Sequence, residues 1–95
     1  MSIQQAIAGR FLLSFSYDGY SRVVEPHCYG RNKKGDLALR AYQVGGGSES
    51  GEYIGWKIFK ADEMRGVQLL QKQFAGARPG YKRNDTAFST ILAAL

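Results

Sequence analysis

Ninety-five residues, 44% hydrophobic and 22% charged, make one domain that is expected to fold, so disorder is not the default reading. Thirteen Lys and Arg against eight Asp and Glu leave a net charge of +5, which suits an anionic partner and equally an ordinary soluble surface. A single cysteine, Cys28, excludes an intramolecular disulfide and argues against a Cys-based metal centre.

The opening residues 2–8 read as a short helix, with Ser2 as its cap, Ile3, Ala6 and Ile7 on one face, and Gly9 as its stop. Phe11, Leu13, Phe15 and Tyr17 then alternate with Leu12, Ser14 and Ser16, the period of a half-buried strand. Asp18-Gly19 tolerates positive φ at both positions and predicts a tight hairpin. The second strand runs from Tyr20 to Cys28, with Pro26 marking an edge or a bulge. A basic turn over 31–35 leads to a third strand, Leu37 to Val44, with Leu37, Leu39 and Ala41 on one side.

Gly45 to Gly51 is a flexible connector. A phosphate-binding P-loop would need a following Lys-Ser/Thr and a helix, whereas Glu52 and a strand follow, and Glu49 adds a repelling charge. The fourth strand, Glu52 to Lys60, sets Ile54, Trp56 and Ile58 against Tyr53, Lys57 and Phe59. Ala61 to Met64 makes one helical turn, and Val67 to Lys72 a fifth strand. An irregular segment with Gly76, Pro79 and Gly80 precedes a closing helix, capped by Asn84 or Asp85, with Phe88, Ile91, Leu92 and Leu95 on its apolar face.

The expected fold is mainly β, a small α+β domain spanning 1–95. A five-stranded, strongly bent SH3/Sm-like barrel over 10–72 is flanked by helix 2–8 and by an irregular segment and helix over 73–95. Closing the sheet would remove exposed edges. The end helices either cover the barrel mouth or offer apolar faces to a partner.

The order of residues resembles the WYL domain, a bacterial Sm/SH3-like barrel. The resemblance is carried by Ile3-Ala6-Ile7 before Phe15-Ser16-Tyr17, by Arg22 followed by Glu25-Pro26, and by Phe59-Lys60-Ala61-Asp62-Glu63-Met64 before Val67. It spans roughly residues 3–70. The name-giving Trp-Tyr-Leu falls on Leu37-Ala38-Leu39, where the leucine alone is kept. The family implies sensing or binding of nucleic acid or nucleotide-like ligands in bacterial regulators, usually beside a DNA-binding helix-turn-helix. This chain has no room for that second domain, so a stand-alone transcription factor is not expected.

The barrel would bring Arg22 and Arg40 side by side, where their guanidinium planes grip phosphate or stack on a base. The competing reading pairs them with Glu25 or another carboxylate. Tyr17, Tyr42 and Trp56 offer stacking faces, although for Trp56 the core is the favoured place. Gln43 presents both a donor and an acceptor to a base edge, and Lys57 flanks the patch. His27, the sole histidine, either donates to a phosphate or base edge or serves as a hydrogen-bonded structural residue. As a base for Cys28 it fails, because adjacent strand residues point to opposite faces.

No acid pair, metal set or nucleophile–base pair assembles, so the expectation is a non-enzymatic module with no cofactor and no metal. Its partner would be nucleic acid or a nucleotide-like anion bound through Tyr17, Arg22, His27, Arg40, Tyr42, Gln43 and Lys57. The alternative is a protein-interaction or oligomerisation module. No run approaches the ~20 apolar residues of a membrane span. Gln4, Gln5 and Gly9 interrupt any export signal, which makes the expected location cytoplasmic.

Overall fold

The computed structural model describes every residue except Met1, Glu49, Ser50 and Glu52, with Ser2 described by its backbone alone. The expected Ser2 cap and the Glu49 charge therefore lie outside the described residues. Helix α1 (Ser2–Gly9) is followed by β1 (Phe11–Tyr17), β2 (Tyr20–Asn32), β3 (Leu37–Gly46) and β4 (Gly55–Lys60). A one-turn 3-10 helix (Ala61–Glu63) then precedes β5 (Arg65–Gln73) and β6 (Phe88–Ala94). The protein is mainly β. Among the described residues no helix is long and apolar enough to cross a membrane.

Amphipathic patterning places α1 as expected, and Ile3, Ala6 and Ile7 are all buried. Its stop works differently. Arg10, not Gly9, takes the left-handed conformation (φ 56°), with its N–H donating to the Ile7 carbonyl at 3.2 Å. Gly9 is needed for space, since a Cβ there would run into the Phe11 ring. Asp18 and Gly19 carry φ of 51° and 80°, as the tight β1–β2 hairpin requires.

The strands run antiparallel in the order β4-β3-β2-β1-β5. β4 and β5 are the ends of that order and do not pair, so the expected barrel closure is not formed. β2 is longer than its sequence pattern suggests, running on to Asn32. Its register with β3 shifts between Pro26 and Cys28, the bulge that a proline in a central strand demands. β1 pairs the first half of β2, from Tyr20 to Val24, leaving the second half of that edge open.

Phe88–Ala94 fills the opening as β6, pairing with β2 from Cys28 to Asn32. This overturns the closing helix. The Asp85 cap signal is real but serves a turn: Asp85 Oδ1 accepts from the Ala87 N–H at 2.9 Å, and the Asp85 carbonyl accepts from the Phe88 N–H at 3.1 Å. Seven residues form a poor isolated helix, whereas the unpaired β2 edge supplies backbone partners along its length.

The main core lies on one side of the sheet, where Leu13, Phe15, Val24, Leu39, Ala41 and Phe59 pack against α1. On the other side the irregular segment 74–87 crosses β2, β3 and β4, enclosing a smaller cluster of Cys28, Ala38 and Phe88. Trp56 belongs to this second side, while Phe59 on the same strand enters the main core. Trp56 is therefore not the core residue that its size suggests: a strand that pairs Tyr42 with Trp56 and Leu39 with Phe59 turns them to opposite faces.

Candidate functional site

The seven residues singled out in the sequence divide into two groups on opposite sides of the sheet. Arg22 stands opposite Gly46, and Arg40 lies six residues back along β3, roughly 20 Å away at ~3.3 Å per residue. The two guanidinium groups therefore do not form one open patch. Register and twist, not composition, decide this.

Tyr17, Arg22 and Gln43 form the first group, beside the main core. Arg22 is 4% exposed and Gln43 fully buried. Arg22 Nη1 donates to Gln43 Oε1 at 3.2 Å and Nη2 to the Tyr17 carbonyl at 3.1 Å. Gln43 Nε2 in turn donates to the carbonyls of Gly45 and Gly47, both at 2.9 Å. Arg22 Nε is buried without a partner among the described residues, and no described carboxylate pairs with the group. The rings of Tyr17, Tyr20 and Phe59, 5.6–5.7 Å from the guanidinium carbon, support the charge instead.

Gln43 thus has both ends of its amide engaged and is turned away from any base edge. The Tyr17 hydroxyl accepts from the Lys60 N–H at 3.1 Å. Burial pushes its ionisation up, an effect the Lys60 N–H opposes and the Glu63 and Asp18 charges reinforce. Lys57 Nζ donates to Ser48 Oγ at 3.5 Å, at the connector. This cluster joins the β1–β2 hairpin to the glycine connector, with Arg22 and Gln43 buried inside it.

His27, Tyr42 and Arg40 form the second group, beneath segment 74–87. His27 is fully buried, with Nδ1 2.8 Å from the Glu25 carbonyl and Nε2 accepting from the Arg78 N–H at 3.0 Å. Those partners fix a neutral ring protonated on Nδ1. Burial lowers its pKa below the ordinary value, as does the Arg78 charge, against a hydrogen bond and charge from Glu25 that raise it. Arg78 grips Glu25 with two bonds of 2.8 and 3.0 Å and lies 4.6 Å over the Tyr42 ring. The Tyr81 hydroxyl donates to the His27 carbonyl at 3.2 Å, and Trp56 Nε1 to the Pro79 carbonyl at 3.1 Å.

The bulge corrects the expectation that His27 and Cys28 face opposite ways. Both meet Tyr81, so these neighbours share a side of the sheet. The pair is still not nucleophilic. Both His27 nitrogens are engaged, and burial, with the Asp85 charge, pushes the Cys28 thiol up to about 11 despite the opposing Arg40 charge. Among the described residues no group of three His, Cys, Asp or Glu could hold a metal ion.

Beyond this latch segment 74–87 leaves a cleft of about 330 Å³ between itself and β3–β4. Arg40, Trp56, Tyr81, Lys82 and Asn84 line it, with Asp85 on the wall. Arg40 Nε and Nη2 donate to the Asp85 carboxylate at 2.8 and 3.4 Å, which leaves Nη1 available among the described residues. Burial would raise the Asp85 pKa, but hydrogen bonds from Arg40 and the Ala87 N–H, with the Arg40 and Lys82 charges, hold it below the ordinary carboxylate value. Trp56 and Tyr81 stack with ring centroids 6.1 Å apart and planes 21° from parallel. The cleft thus joins the Lys82 ammonium, a half-engaged guanidinium, two aromatic rings and an amide.

Of these residues, sequence pattern points to Arg40 as a site residue and to Trp56 as a stacking face. Lys82 stands out as part of a basic pair and Asp85 as a cap, while Arg78 and Tyr81 carry no signal beyond the nearby Pro79-Gly80 turn. What unites them is the path of an irregular segment, which has no periodicity to read. No family model, curated protein or solved structure matches the chain.

Proposed function

We propose that this chain is a non-enzymatic binding module for nucleic acid or a nucleotide-like anionic ligand, held in the cleft between segment 74–87 and β3–β4. The observation that carries the reading is the convergence there of Arg40 and Lys82 with the Trp56 and Tyr81 rings and Asn84. Planar, anionic ligands need that combination: cations for phosphate, ring faces for the base, and an amide for its edge. The site moves from the seven residues expected from sequence to this cleft, with Arg40 common to both. His27 and Tyr42 support the segment that forms one wall, and Arg22, Gln43, Tyr17 and Lys57 brace the far side of the sheet.

The WYL resemblance, a regulatory role in a bacterial partner system and a cytoplasmic location belong to the same proposal. The strand order and the helical turn between β4 and β5 support an Sm/SH3-like architecture, as a barrel left open between those strands. Trp56 is the sole tryptophan, so its fluorescence reports directly on occupancy of the cleft. Titration with short single-stranded oligonucleotides should quench or shift that emission, with log affinity falling by about 0.7 per phosphate contact against log salt. Lys82→Ala should weaken binding at unchanged melting temperature. No spectral response at low salt would defeat the proposal.

A second reading, self-association or binding of a protein, is favoured by one observation. The approach to β4 and β4 itself, at the end of the sheet, expose Tyr53, Ile54 and Ile58, and β6 exposes Ile91 and Leu92. Two apolar-faced end helices do not supply this surface, since α1 is buried against the core and the expected second helix is a strand. Light scattering tests the self-association form of this reading: a monomer at high concentration excludes the homo-oligomer.

A further inference from the structure

We infer that the ligand is a single-stranded polymer longer than one nucleotide, running from the Trp56 cleft over residues 84–86 into an adjoining cleft on the β6 side. This rests on the binding function proposed above and names its ligand class. The second cleft, about 440 Å³, shares Asn84, Asp85 and Thr86 with the first and adds Lys33, Phe88, Ser89 and Ile91. The two hollows are therefore halves of one groove with 84–86 as the saddle.

Each half offers the same three kinds of group. The first has Lys82 and Arg40, the Trp56 and Tyr81 rings, and Asn84; the second has Lys33, the exposed Ile91 side chain, and the Thr86 hydroxyl on the saddle. A repeated set of cation, apolar face and neutral hydrogen-bonding side chain matches a repeating chain of phosphate, base and sugar better than a single small anion. The carboxylate on the saddle does not oppose this path. Asp85 Oδ2 is taken by Arg40 Nε, and Oδ1 by Arg40 Nη2 and the Ala87 N–H.

Lys33 is held at the groove by its turn. Asn32 Oδ1 accepts from the N–H groups of Lys34 and Asp36 at 2.9 and 3.0 Å, closing the turn on itself. Ser89 Oγ ties that turn to β6, donating toward the Arg31 and Asn32 carbonyls at 3.3 and 3.0 Å. Arg31 Nη1 adds a 2.8 Å bond to the Gly35 carbonyl. The ammonium of Lys33 is thereby carried on a braced loop beside the second hollow. Single strands are specified because Trp56 and Tyr81, set in a cleft, meet a base face only when that base is unstacked from a duplex.

The test is a Trp56 fluorescence titration with 5′-phosphorylated thymidine oligomers of one, two and four nucleotides, on the full chain and on Lys33→Ala. Affinity should rise at least tenfold from one nucleotide to four, and the salt slope should steepen by about 0.7 for each additional phosphate engaged. Lys33→Ala should remove most of that rise while leaving mononucleotide affinity within twofold. Equal affinity for one and four nucleotides, or equal weakening of both by Lys33→Ala, would overturn the inference. A duplex competing as well as the single strand would also overturn it. Silence toward every oligomer would instead sink the underlying binding proposal.

Discussion

Neutral His27 is the residue on which segment 74–87 hangs, because its two ring nitrogens join β2 to the Arg78 backbone. A proton on Nε2 would set two donors against each other inside the protein. The folded ring therefore binds protons less readily than the unfolded one, and its pKa is lowered by burial first. With a depressed folded pKa, the stabilisation is complete above the unfolded value of ~6.5 and is lost as pH falls from there through the folded pKa. Thermal melts should show a falling midpoint over that window, with a slope no steeper than about 1.4 kcal/mol per pH unit for one proton. His27→Ala, although less stable throughout, should flatten it. Gln43 acts at the same scale on the other side of the sheet. Gln43→Ala removes the Nη1 acceptor of a buried cation and two ties to the glycine connector, and should cost about 2–4 kcal/mol in urea unfolding. A loss below about 0.5 kcal/mol would mean that the surrounding rings alone hold Arg22.

Among the elements, β6 shows why local pattern and final structure part company. Phe88, Ile91, Leu92 and Leu95 have helical spacing, and Asp85 bonds as a capping residue would, so the local signal favours a helix. A nonlocal fact overrules it: β2 extends past the reach of β1, and its free edge has backbone groups to satisfy. Gly30 makes the docking possible, because a Cβ there would collide with the Thr90 carbonyl oxygen. Gly30→Ala should therefore displace β6, seen as lost amide protection over 88–94 with β1–β5 still protected. Retained protection would show that the sheet can shift to admit the methyl group. Elements with a local cause were legible: α1 from its apolar face, the β1–β2 hairpin from Asp18-Gly19, and the helical turn at 61–63. The candidate cleft was legible only at Arg40 and Trp56, since its other wall is a segment whose placement depends on Arg78 finding Glu25 and Tyr42.

At the scale of the whole molecule, one sheet is covered on both faces by parts distant in sequence. Helix α1 seals one face with apolar side chains, and segment 74–87 crosses the other on polar bonds and aromatic edges. Polar fastening of an exposed strap should yield before the core does. Arg78→Ala removes the grip on Glu25 and the cation over Tyr42, so trypsin should cut faster at Lys82 and Arg83 while a fragment containing α1 and β1–β5 persists. Simultaneous loss of that fragment would show that strap and sheet unfold together. The two strands that share one edge of β2 also impose an order on events in the cell. β1 precedes its partner and can zip against it at once, but the stretch from Cys28 to Asn32 must wait until residues 88–94 have left the ribosome. Until then the nascent chain carries an unsatisfied strand that a neighbouring polypeptide could capture, so slow translation of the last third would favour misassembly.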